Sequence, residues 1–256
     1  MTGRVASRVR LEPGRVSRVI LSRPPVNVLD LAMIRDLHSA FQRAASSDPA
    51  VIVLGAEGRA FSAGVDIADH TEDRVAGMLE SFHAVFKIMA SLPAPLVAAV
   101  QGAALGGGCE LVAACDLVVA AASATFGQPE IRVGVFPPVA AVELQALLGP
   151  RRAAEMILTG ESLDAREALA AGLVNRVYPD ETFAACAEEF IGSVSRHSRP
   201  VLALAKQALR LGRGRPLAAA LPDIEAIYLH QLMALADARE GLQAFMDKRP
   251  PRYQDR

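Results

Sequence analysis

The apolar positions of this chain change their spacing as it proceeds, and the changes mark out its elements. Residues 9–11 and 16–21, both rich in apolar residues, flank Pro13-Gly14, the pattern of a β-hairpin. Two prolines in SRPPVNVL then favour extended backbone. Leu31, Ile34, Leu37, Phe41 and Ala44 recur at helical spacing behind Asp30, a good N-cap residue, and Ser46-Ser47-Asp48-Pro49 ends that helix. Residues 51–54 form a short, wholly apolar run, suited to a strand buried on both faces of a parallel sheet. The loop GAEGRAFSAGVDIADH leads to a second predicted helix. It is opened by Thr71 and carries Val75, Leu79, Phe82, Phe86 and Met89 on one face, and Pro93 and Pro95 close it. Residues 96–100 and 117–121 read as two more buried strands, with a helix from Gly108 to about Cys115 between them. A turn at Pro137-Pro138 precedes helical patterns, among them 151–158 and 164–171. Gly172 is placed as a C-terminal cap before a fourth strand over 173–178. After Glu181 strand patterns stop, and three or four helices follow, broken at Arg199-Pro200, at 212–216 and at Pro222. Strands alternating with helices, then helices alone, predict an α/β core over 1–195 followed by a helical region over 196–256.

Composition narrows the function. The chain has 256 residues, 52% of them hydrophobic, and a net charge of -1, which suits one large domain and gives no support for a nucleic-acid partner. No charge falls between Ile88 and Cys109, but Pro93, Pro95, Gln101 and four glycines interrupt that run, so it reads as core and not as a membrane span. The N-terminal MTGRVASRVRLEPGR has no apolar segment of signal-peptide type. Three cysteines make no disulfide scaffold, and a reduced, cytoplasmic setting is expected. The five histidines show no ligand spacing, so no metal site is expected.

The chemistry concentrates in QGAALGGGCELVAACDLVVAAASATFGQPE, residues 101–130. Gly106-Gly107-Gly108 at the start of a helix lets a ligand approach backbone N–H groups, where the helix dipole adds partial positive charge. The loop lacks the Gly-Lys-Ser/Thr of a phosphate loop, the G-x-G-x-x-G of a dinucleotide site and the G-x-S-x-G of a nucleophile elbow. That leaves an oxyanion site, or glycines that only permit close helix–strand packing. Glu110 lies in the first helical turn, where the dipole alone favours an acid, and Glu130 follows Pro129 in what is otherwise a surface turn. Together, two carboxylates beside an anion-stabilising loop are the equipment for moving a proton next to a carbonyl. Cys109 reads as a small buried side chain, and Asp116 as a polar residue at a helix end.

Three motifs in order carry a resemblance: FSAGVDI at 61–67, AAVQGAALGGGCEL at 98–111 and FGQPEIRVGVFP at 126–137. They resemble the enoyl-CoA hydratase/isomerase (crotonase) family, and the likeness runs on through ILTGESLDAREALAAGLVNRVYP to the closing EGLQAFMDKRPP. The resemblance implies a spiral of ββα units with a helical C-terminal region that forms a homotrimer or homohexamer. It implies an acyl-coenzyme A thioester as substrate and no separate cofactor. The N–H groups of Val65 and Gly107 would hold the thioester oxygen. Ala63, Asp66, Ile67 and Ala68, with Val26 and Val28, would line the coenzyme A surface, and Lys248 would reach the nucleotide of a neighbouring subunit. Glu110 would activate water and Glu130 would exchange the proton at C2. Family isomerases often lack the first acid, so its presence favours hydration over double-bond isomerisation. Where many members carry a glycine-rich segment, this chain has Val135-Phe136-Pro137-Pro138. With NVLD and SAGVDIADH, that resembles the cyclohexa-1,5-diene-1-carbonyl-CoA hydratase branch. A non-catalytic member that binds RNA or a protein partner is the competing class, and the charge balance and the retained acids weigh against it.

Overall fold

The computed structural model describes residues 8–256; the first part of the N-terminal segment read above lies outside the described residues. The chain opens with β1 (Val9–Glu12) and β2 (Val16–Leu21), then α1 (Leu31–Ser46), β3 (Val51–Ala56), α2 (Val75–Ser91), β4 (Leu96–Val100), β5 (Ala103–Leu105) and α3 (Gly107–Ala113). It continues with β6 (Leu117–Ala121), β7 (Thr125–Gly127), α4 (Ala140–Leu148), α5 (Pro150–Thr159), β8 (Ser162–Asp164), α6 (Ala165–Ala171) and β9 (Arg176–Tyr178). Four helices end it: α7 (Phe183–Ser195), α8 (Arg199–Gly212), α9 (Leu217–His230) and α10 (Ala236–Met246). The main sheet runs β1-β2-β3-β4-β6-β9. Its first pair is antiparallel and the others parallel. A second sheet, β5-β7-β8, stands at the C-terminal ends of β4 and β6.

The apolar run of β3 behaves as a strand covered on both faces. Ile52 and Leu54 join the large core with α1, α2 and α3, while Val51 and Val53 face Ile191 of α7. Asp30 caps α1 as its position predicts, its carboxylate accepting from the Met33 N–H at 2.9 Å. Asp164 and Glu167 form a reciprocal capping box on α6, and Gly172 closes it in the left-handed region.

Four expectations need correction. Residues 24–27 form a turn, not an extended run. Thr71 does not cap α2 through its side chain; α2 begins after Arg74, and the carbonyl of Thr71 accepts from the N–H groups of Arg74 and Val75. The buried face of α2 is Met78, Phe82, Val85 and Met89; Val75, Leu79 and Phe86 of the predicted stripe are only partly buried against the core. Pro222 lies inside α9 without breaking it. It is the sixth residue, and so costs one hydrogen bond, to a carbonyl near the helix start.

Asp116 fulfils its structural reading. Its Oδ2 accepts from the Leu96 N–H at 2.7 Å and pairs with buried Lys206 at 2.6 Å, and Lys206 Nζ also donates to the Ala94 carbonyl at 2.8 Å. These bonds fasten α8 to the start of β4.

Candidate active site

A cavity of about 750 Å³ opens where α3, α2 and the segment after β7 converge, and both acids line it. Each of the three glycines before Glu110 has its own physical reason. Gly106 adopts φ +52°, ψ -127°, and a Cβ there would sit 2.5 Å from Glu130 Oε1. Its bare backbone therefore makes room for the second acid. A Cβ on Gly107 would meet Val65 Cγ2 at 2.8 Å and Phe82 Cζ at 2.9 Å. One on Gly108 would strike Ser62 Cβ at 2.7 Å and its carbonyl oxygen at 2.8 Å. Packing thus explains Gly108, while Gly106 and Gly107 lie on the cavity wall itself.

The N–H of Gly107 opens α3, and the N–H of Val65 lies in the 61–67 motif. Among the described residues neither amide has an acceptor outside its own element: around Val65 the bonds run from the Leu29 N–H to the Gly64 carbonyl and from the Asp66 N–H to the Leu29 carbonyl. Val65 and Gly107 share the cavity wall.

Glu110 is almost wholly buried. Burial raises its carboxyl to about 7; the N–H groups of Ala140 and Val139 oppose that, and the negative charge of Glu130 adds to it. The Ala140 N–H donates to Glu110 Oε1 at 2.8 Å, so the first turn of α4 holds the acid in place. Burial also raises the carboxyl of Glu130. With its amide oxygen and nitrogen exchanged, the orientation that satisfies both atoms, the fully buried Gln128 donates to both Glu130 oxygens at 3.2 Å each, which fixes the plane of that carboxylate. Gln128 escapes sequence reasoning because a lone glutamine carries no signal of its own, and its approach to Glu130 depends on the bend into the 3-10 helix Pro129–Val133. Cys109 is buried, and burial with the two neighbouring acids lifts its thiol to about 12, which leaves it inert.

Of the other expected binding residues, Ala63 and Ile67 line the cavity. Val26, Val28, Asp66 and Ala68 are not on its wall, but backbone bonds bring their segments together. The Ala63 N–H donates to the Val26 carbonyl at 2.8 Å, and Leu29 bridges to Val65. Buried Asn27 fixes the first segment, donating from Nδ2 to the carbonyls of Glu57 and Ala60 at 2.8 and 2.9 Å. Asp66 uses its side chain to accept from the Ala68 N–H at 3.0 Å. Ala63, Ile67 and Ala68 are exposed, forming a surface beside the cavity mouth. Lys248 follows α10 and is off the cavity wall. Among the described residues no group of three or more His, Cys, Asp or Glu side chains is placed to hold a metal ion, and no helix is long and apolar enough to cross a membrane.

The model of the enoyl-CoA hydratase/isomerase family matches residues 12–256. The cyclohexa-1,5-dienecarbonyl-CoA hydratase of Thauera aromatica is 38% identical over 245 residues, covering 95% of this chain and 94% of that protein. The 2,3-dehydroadipyl-CoA hydratase of Escherichia coli K12 is 37% identical over 248 residues, covering 94% of this chain and 96% of that one. The crystal structure of an enoyl-CoA hydratase from Mycobacterium smegmatis superimposes with a TM-score of 0.91 at 31% identity, over 96% of this chain and 98% of the other.

Proposed function

The chain belongs to the enoyl-CoA hydratase/isomerase family, and from that premise we propose that Glu110 and Glu130 together add water across the 2,3-double bond of an enoyl-coenzyme A thioester. The reaction is that of a lyase acting on a carbon–oxygen bond. One observation carries the reading: the buried carboxyl of Glu110, the half-buried carboxyl of Glu130 and two residues whose backbone N–H groups have no acceptor outside their own element, Val65 and Gly107, line the same cavity.

The chemistry follows from charge. Water attacks C3 only if negative charge can build on the thioester oxygen. The N–H groups of Val65 and Gly107 take up that charge, and loss of one such donor costs roughly 3 kcal/mol in the transition state. Glu110, ionised, accepts a proton from water as the water oxygen bonds to C3. Glu130, protonated, gives its proton to C2 as the enolate collapses. One proton enters the acid pair and one leaves it, so the pair is restored by transfer between its members or through solvent. Burial raises both carboxyls, and the charge of Glu130 adds to the rise at Glu110, which favours the singly protonated pair that this step requires. Ala140 and Gln128 hold the two acids in register. No separate cofactor takes part in this scheme; coenzyme A belongs to the substrate.

Two acyl groups are candidates. The similarity to the Thauera hydratase and the stiff Pro137-Pro138 wall make a cyclic dienoyl thioester one of them. Similarity to the dehydroadipyl hydratase is nearly as great, so identity alone does not choose between ring and open chain. The test is a side-by-side assay of crotonyl-CoA, cyclohexa-1,5-diene-1-carbonyl-CoA and a 3-enoyl-CoA. Hydration of at least one of the first two is expected. Faster conversion of the 3-enoyl thioester would make the protein an isomerase, and tight RNA binding with no turnover would assign it to the non-catalytic class.

A further inference from the structure

Beyond the two acids, the cavity wall is apolar except for His70, Thr71 and Arg132. The Nδ1 of His70 lies 3.0 Å from the Asp66 carbonyl oxygen, which commits that ring nitrogen. Arg132 differs. A guanidinium carries a fixed positive charge and five donors. Among the described residues Arg132 makes no hydrogen bond and no ion pair.

Arg132 is exposed to solvent, but its stem is positioned. It lies on the 3-10 helix Pro129–Val133, two residues beyond Glu130, and its stem passes over Gly160. A Cβ on Gly160 would sit 3.1 Å from Arg132 Nε and 3.4 Å from its Cγ. The missing side chain of Gly160 is thus the slot that Arg132 occupies. Nor does its charge serve the acid pair: neither Glu110 nor Glu130 is lowered by it. A cation that is seated by packing, borders an apolar cavity and lacks an acidic partner is equipped to receive an anion from a ligand.

Building on the hydratase reading, we propose that Arg132 selects 2-enoyl-coenzyme A thioesters whose acyl chain ends in a carboxylate. Two residues of 3-10 helix rise about 4 Å, so an anion a few carbons past the double bond that Glu130 serves comes within reach of the guanidinium. The phosphates of coenzyme A are the other source of negative charge, and the test separates the two.

The experiment compares kcat/KM for a six-carbon 2-enoyl-CoA bearing a terminal carboxylate with that for its methyl-terminated counterpart. It uses the wild type, Arg132→Met and Arg132→Lys, with crotonyl-CoA and cyclohexa-1,5-diene-1-carbonyl-CoA alongside. The wild type is expected to prefer the carboxylated thioester. Arg132→Met is expected to reduce that preference roughly tenfold, mainly through KM, and Arg132→Lys to keep most of it. An equal loss on both six-carbon substrates would assign Arg132 to the coenzyme A phosphates and overturn the proposal. So would wild-type preference for the methyl-terminated or the ring-bearing thioester, or an unchanged ratio in Arg132→Met. If crotonyl-CoA and every other thioester go unhydrated, the hydratase reading fails first and this one falls with it.

Discussion

Glu110 is held between opposing influences. Burial and the charge of Glu130 favour its protonated form; the N–H groups of Ala140 and Val139 favour its carboxylate. Its folded-state value of about 7 lies above the ordinary 4.5, so the folded protein binds this proton more tightly than the unfolded chain. The stability that comes from the bound proton is fully present below about pH 4.5 and is lost as pH rises through about 7. Glu110→Gln stays neutral and keeps an oxygen for the Ala140 N–H. At pH 8 it is expected to melt about 3–6 °C higher than the wild type, the gap closing below about pH 5. Calorimetry across that range checks this, and a variant less stable at pH 8 would show that burial does not set the charge of Glu110. At this scale the sequence offers the acids and the glycines but not their division of labour. That Gly108 serves packing depends on Ser62, and that Gly106 clears space depends on Glu130, contacts that no local pattern contains.

Among the elements, α3 bears the most. It is short and wholly buried, and its first residues have no side chains with which to resist displacement. Gly107→Ala pushes a methyl group against Phe82 and Val65 and so separates the two amides. A loss of about 10²–10³ in kcat with unchanged circular dichroism is expected, the magnitude of one lost oxyanion donor. Near-normal kcat would mean that the N–H of Gly107 is not a donor to the substrate. Long periodic elements were legible beforehand: α1 from its stripe and the Asp30 cap, β3 and β4 from apolar runs too short for helices. The three-residue strands β5, β7 and β8 were not. Each is too brief to show alternation, and they pair only because β4 and β6 place their successors side by side. The same strands set Gln128 and Glu130 beside the glycine run, which is why the cavity was harder to foresee than the sheet.

For the molecule as a whole, the three motifs that were legible as separate loops converge at one end of the parallel sheet, where α2, α3 and the segment 129–138 enclose a cavity. The C-terminal helices leave large apolar side chains in solvent, among them Leu217 and Leu229 on α9 and Phe245 and Met246 on α10. We propose that these faces meet in a homotrimer or homohexamer. Sedimentation equilibrium is expected to give three or six times the chain mass, and a monomer at micromolar concentration would contradict it. The central claim is that two acids act on one thioester, and it is tested most directly by following the absorbance of the conjugated thioester in the hydration of the preferred 2-enoyl-CoA. With Glu110→Gln and with Glu130→Gln, kcat is expected to fall at least about 10³-fold, while each variant stays folded. Full activity in both variants would contradict the account.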